Sequence, residues 1–84
     1  GINCIEPPLV ADAIRKLKKY STKKVLIYPN SGEFYNSNMK EWTGQKKLSK
    51  KHIKEWLKLS PDIIGGCCRV GTDIIKEINN QINI

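Results

Sequence analysis

Four apolar residues in an unbroken row, Val25-Leu26-Ile27-Tyr28, separate two stretches in which apolar residues return every three to four positions. An unbroken run of this length is the pattern of a strand buried on both faces, and the flanking stretches have the period of amphipathic helices. The alternation recurs on either side. Upstream, a short segment opening Gly1-Ile2-Asn3-Cys4 ends at Ile5-Glu6-Pro7-Pro8, where proline is well placed to start a helix. Leu9, Val10, Ala13, Ile14, Leu17 and Tyr20 then keep one apolar stripe. Downstream, Pro29-Asn30-Ser31-Gly32 stops the central run, and a polar loop with Asn36, Ser37 and Asn38 follows. Ser49 is placed to cap a second helix, with Leu48 and Ile53 as a hydrophobic staple across the cap. Ile53, Trp56 and Leu57 supply its apolar face, and Leu59-Ser60-Pro61 breaks it. Ile63-Ile64-Gly65-Gly66 is the third strand, and Thr72 caps a last helix carrying Ile74, Ile75, Ile78 and Ile82.

Strands alternating with amphipathic helices predict parallel pairing and an α/β fold. Three such units cannot close a sheet; edge strands stay unpaired and one sheet face poorly covered. With 84 residues, no initiator Met and an abrupt start, the chain is expected to be a piece of something longer. No apolar run approaches the ~20 residues of a membrane span, and no signal segment opens the chain. Three cysteines without such a signal point to a reducing, cytoplasmic setting.

Those cysteines carry the chemistry. Cys67-Cys68 lie behind Gly65-Gly66 and are joined at long range by Cys4, an odd count without CxxC spacing. That is a poor disulfide framework. It suits three ligands for Zn2+ with the fourth position left open, as in catalytic rather than structural zinc, and so points to metal chemistry on a sulfur substrate. Buried, inert thiols are the competing reading. Cys4 falls at the end of the first strand and Cys67-Cys68 at the end of the third. Adjacent strand residues point to opposite faces, so both cysteines reach one metal only where the backbone turns. Gly65-Gly66 make that turn and a close backbone approach easy. The Asn30-Ser31-Gly32-Glu33 turn ends the middle strand on the same rim, where barrel enzymes built from such units place their sites.

The net charge is +7, from fifteen Lys+Arg against eight Asp+Glu. A small basic nucleic-acid-binding module with structural cysteines is therefore the alternative function. Against it, thirteen of the basic residues are Lys and two, Arg15 and Arg69, are Arg, leaving few guanidinium forks for bidentate contacts. The lysines also fall on the polar faces of two helices, where a solvated surface is the default.

The segments GINC, VLIYPNSGEFY with a following Trp42, and IIGGCCRVGTDII together resemble the homocysteine S-methyltransferase family, from Gly1 to about Ile78. The YPNSGE segment is more similar to its S-methylmethionine-using branch than to the betaine-using one; Val70-Gly71 departs from the family pattern. The resemblance implies a (β/α)8 barrel of roughly 250 residues, of which residues 1–84 form the last three βα units, the C-terminal part of a single domain. It also implies Cys4, Cys67 and Cys68 as zinc ligands with the thiol of homocysteine as the fourth. The reaction would be methyl transfer to that thiol from S-methylmethionine or S-adenosylmethionine, giving methionine, as in methionine biosynthesis. The leaving thioether is neutral, so no general acid is required, and His52 is expected to be an exposed helical residue without a catalytic role. Asn30, Ser31 and Glu33 are candidates to hold the amino or carboxylate group of the amino-acid substrate; a plain turn is the other reading. Asn3 is a candidate to orient the metal loop by hydrogen bonding. Arg69 is expected to pair with a structural acidic group, and Trp42 and Trp56 to be packing residues.

Overall fold

Parallel neighbours need a crossover of a dozen residues or more between them, and the chain supplies two. A computed structural model describes residues 1–83. In chain order its elements are β1 (Ile2–Ile5), a 3-10 turn (Pro7–Leu9) running into α1 (Val10–Tyr20), β2 (Leu26–Pro29), β3 (Phe34–Asn36), β4 (Glu41–Thr43), α2 (Lys50–Lys58), β5 (Ile63–Ile64) and α3 (Thr72–Ile82). The sheet is parallel, in the order β1-β2-β5, with Ile2 opposite Ile27 and Ile27 opposite Ile64. The expected α/β class and parallel pairing hold. Asp62 fastens the start of the inner pair: its carboxylate accepts the Val25 N–H at 2.7 Å, and the Asp62 and Ile63 N–H groups donate to the Val25 carbonyl.

Alternation along β2 sends Ile27 to one side and Leu26 and Tyr28 to the other. The Ile27 side carries the core: Val10, Ala11 and Ile14 of α1, Val25, Leu48, Ile53 and Trp56 of α2, and Ile78 of α3. The helices pack in a row, α1 against α2 and α2 against α3. The other face is open, with Tyr28 exposed, so β2 is buried on one face and not on both. An uninterrupted apolar run does not say how many layers the chain itself supplies.

The two outer helices differ from the expected stripes in the same way. Val10 and Ile14 are fully buried, whereas Leu9 and Tyr20 are exposed and border a groove shared with Ile2, Ala13 and Leu17. On α3, Ile78 is buried while Ile75 and Ile82 are exposed. Each stripe is wider than three strands can cover. None of these helices is long and apolar enough to cross a membrane.

The second helix begins as its sequence predicts. Ser49 is the N-cap, and Leu48 before it and Ile53 within the first turn both enter the core, as a staple requires. His52 is only half-buried and not the free surface residue expected. Its Nδ1 accepts the Ser49 N–H at 3.3 Å, taking the place of the Glu or Gln of a capping box. The last helix is capped by Gly71 rather than Thr72, which is its first helical residue. The polar loop after β2 contains structure that was not expected: β3 and β4 form an antiparallel hairpin pairing Phe34 with Thr43 and Tyr35 with Trp42. Asn36 makes its turn, accepting the N–H groups of Asn38 and Met39 on its side-chain oxygen.

Candidate metal centre

The three parallel strands end at one rim, and each end departs from strand geometry there. In β1 the register shifts between Asn3 and Ile5, which pair with Tyr28 and Pro29, so Cys4 is the extra, unpaired residue of a bulge with φ 53°. A bulge re-aims one side chain without dismantling the ladder. On the other side, the ladder runs on past β5: Gly65 N–H donates to Ile27 and Cys67 N–H to Pro29, each at 2.9 Å. The chain then turns, the Val70 N–H donating to the Cys67 carbonyl at 3.2 Å.

The glycines before the cysteines act through space and not through backbone twist. Positive φ falls on Arg69, at 62°, while neither Gly65 nor Gly66 has it. A Cβ on Gly66 would overlap the Val70 side chain, and one on Gly65 would lie 3.2 Å from the Tyr28 ring. Close approach, one of the two expected roles, is the one realised.

Ser31 ties the rim together. It is 2% exposed, and all its polar groups are engaged. Its N–H donates to the Cys68 carbonyl at 3.1 Å, and its carbonyl accepts from Lys47 and Leu48 at 2.6 and 2.9 Å. Its hydroxyl donates to Glu33 Oε1 at 3.1 Å and accepts the Glu33 N–H. Gly32 is required beside it, because φ is 97° and a Cβ would sit 2.6 Å from Lys47 Cβ. The Asn30 side-chain oxygen accepts the Cys68 N–H at 3.2 Å. Glu33 reaches Arg69, with Oε2 and Nε 3.5 Å apart, the acidic partner expected for that arginine. Thus Asn30, Ser31 and Glu33 do meet the cysteine loop, from beneath and beside it. Asn3 lies exposed next to Cys4; among the described residues its side chain makes no hydrogen bond.

The sulfur atoms of Cys4, Cys67 and Cys68 all lie within 4.8 Å of one another, with Cys4 exposed and the other two half-buried. Inert burial therefore does not describe them. The Cys4 and Cys68 sulfurs are 3.9 Å apart. Zinc–sulfur bonds of about 2.3 Å in a tetrahedron place sulfurs about 3.8 Å apart, and a soft trithiolate set suits zinc. The donor set fits the ion. In this structure Cys4 and Cys67 are joined as a disulfide and Cys68 is a free thiol, a pairing that the odd cysteine count gave no reason to expect. The cause is the same convergence: the bulge and the strand end bring their Cα atoms to 5.5 Å, inside the range that a disulfide spans.

Trp56 packs in the core as expected, but Trp42 does not. It lies partly exposed on β4, edge to face with Tyr35 and beneath the Arg69 guanidinium at 5.8 Å. The sequence signal for this arrangement was the pair of aromatic segments, Phe34-Tyr35 and Trp42-Thr43, either side of the Asn36-Ser37-Asn38 turn.

The sequence profile described as "Homocysteine S-methyltransferase" matches residues 1–82. The chain belongs to the homocysteine S-methyltransferase family. Similar proteins include "Homocysteine S-methyltransferase 3" of Zea mays, 38% identical over 99% of this chain and 26% of its own length. "Selenocysteine methyltransferase" of Astragalus bisulcatus is 38% identical over 93% of this chain and 24% of its own. "Betaine-homocysteine S-methyltransferase" of Drosophila melanogaster is 35% identical over all of this chain and 27% of its own. The chain spans about a quarter of the length of these relatives. No solved structure matches it.

Proposed function

We propose that this chain is the metal-holding part of an enzyme that transfers a methyl group from a sulfonium donor to the thiol of homocysteine, giving methionine. In this reading residues 1–84 are the last three βα units of a (β/α)8 barrel, the C-terminal part of one domain. The open face of the sheet is the barrel interior, and the apolar flanks of α1 and α3 adjoin neighbouring units. Its setting is the cytoplasm, where thiols stay reduced. The carrying observation is the convergence of three cysteine sulfurs within 4.8 Å at the carboxyl ends of parallel strands, where ligands bind in α/β sheets.

Cys4, Cys67 and Cys68, all reduced in the working form, would hold Zn2+. When bound, the ion lowers the pKa of a substrate thiol so that the thiolate form is present at neutral pH. The partly exposed sulfur cluster gives homocysteine access as the fourth ligand. Asn30 and Glu33 form the rim that receives its amino-acid end, and the buried Ser31 holds Glu33 in place beneath the substrate. Both carboxylate oxygens of Glu33 retain acceptor capacity beyond their contacts with Ser31 and Arg69, enough for an ammonium group. The Asn3 backbone, paired with Tyr28, supports the strand end from which Cys4 projects. The sulfur lone pair forms the new bond to the methyl carbon as the donor's S–C bond breaks, and the donor leaves as a neutral thioether. S-methylmethionine is the favoured donor, with S-adenosylmethionine the other. No proton need be supplied to the leaving group, which agrees with His52 being engaged in the α2 cap. The lysines of α1 and α2 are exposed and serve as solvated surface in this reading.

The test is metal content measured together with turnover. In the full-length protein, Cys4→Ser and Cys68→Ser are each expected to lose zinc and methyl transfer together. Retention of turnover by either variant overturns the assignment.

A further inference from the structure

Cys67 to Val70 form a β-turn in which Arg69 is the third residue, with φ 62°. Turns with positive φ at that position ordinarily take glycine or asparagine there. An arginine in that place needs something to hold it, and its side chain is held on two sides. Its Nε is 3.5 Å from Glu33 Oε2, and its guanidinium lies 5.8 Å from the centre of the Trp42 ring. Glu33 is itself fixed: its side chain is only 10% exposed, and its other oxygen accepts the Ser31 hydroxyl. Ser31 in turn donates its N–H to the Cys68 carbonyl. The contacts therefore close a ring: Cys68 to Arg69 through the chain, Arg69 to Glu33, Glu33 to Ser31, and Ser31 back to Cys68. Trp42 presses on this ring from β4, which has no other connection to the cysteine loop among the described hydrogen bonds.

We propose that Arg69 is the positioning residue of the metal site, clamped by Glu33 and Trp42 so that the Cys67–Val70 turn keeps the form that aims Cys68 at Cys4. The proposal rests on the reading of the three cysteines as a metal site. It gives the β3–β4 hairpin a role, as the wall that keeps Arg69 in place. It also explains why the left-handed residue of the turn is not glycine although Gly71 stands two residues away.

The experiment measures zinc affinity of the full-length protein by competition with a chromogenic chelator, alongside its thermal melt. The parent is compared with Arg69→Gly, Trp42→Ala and the double variant. Glycine suits the backbone at this position, so Arg69→Gly removes the clamp without straining the turn. Arg69→Gly is expected to bind zinc 10- to 100-fold more weakly, the range typical of residues that orient metal ligands, with its melting temperature unchanged or raised. Trp42→Ala is expected to weaken zinc binding by a smaller factor, and the double variant to be no weaker than Arg69→Gly alone. Parental zinc affinity in Arg69→Gly overturns the proposal while leaving the metal site standing, as do fully additive losses in the double variant. A parent that binds no zinc overturns the metal reading itself, and the proposal with it.

Discussion

Trp56 is fully buried, yet its indole N–H has no hydrogen-bond partner among the described residues. Its value is therefore in its ring, which fills the core and stacks on His52 at 5.7 Å between centroids. A buried donor without a partner costs about 1–3 kcal/mol, so removing that N–H offsets part of the packing lost with it. Trp56→Phe is expected to change stability by about 1.5 kcal/mol or less, whereas Trp56→Ala should cost about 3–5 kcal/mol. Chemical denaturation of the full-length protein distinguishes the two; equal losses would mean that the N–H has a partner elsewhere in the protein. Its place on the Ile53-Leu57 stripe made Trp56 legible as core. Residue identity could not do so for Trp42, since an aromatic ring has the same composition whether it fills a core or backs an arginine.

At the scale of elements, legibility followed the length of the periodic signal. The four-residue run at Val25–Tyr28 stands out because it is unbroken, and the capped helix after Ser49 because several residues agree on one period. The hairpin did not, because its strands are three residues each and their pairing is set by the Asn36 turn rather than by alternation. The bulge at Cys4 and the left-handed Arg69 were equally hidden: both depend on tertiary partners, Tyr28 and Pro29 for one, Glu33 and Trp42 for the other. The site itself was more legible than its supports. Its cysteines are marked by their chemistry, while the atoms that position them are ordinary polar groups. The α2 cap provides a direct check at this scale. Ser49→Ala is expected to destabilise the protein by about 1 kcal/mol, and His52→Ala to remove the reciprocal contact at a smaller cost. If His52 were only surface, its substitution would leave the midpoint of a urea titration where it was.

The whole molecule is a slab, with extents of 42 × 29 × 16 Å and a radius of gyration of 13.2 Å, against about 12 Å for a compact chain of this length. Its apolar side chains are left uncovered along both flanks and on one sheet face: Leu9 and Tyr20 beside β1, Ile63, Ile75 and Ile82 beside β5, and Tyr28 between them. Exposed strand edges with apolar surroundings template association. The 84 residues expressed alone are therefore expected to self-associate and to melt broadly. Sedimentation velocity and a thermal scan read this out, and a monomer with a sharp, cooperative transition would contradict it.

Cys4 and Cys67 meet across 63 residues of chain. Two crossovers must be complete and three strands in register before the third sulfur can join the first. Cys67 and Cys68 are adjacent in the chain, but no shorter stretch brings all three sulfurs together. In the proposed reading, metal capture would be a proofreading event: only chains whose topology is already correct could offer the ion all three sulfurs.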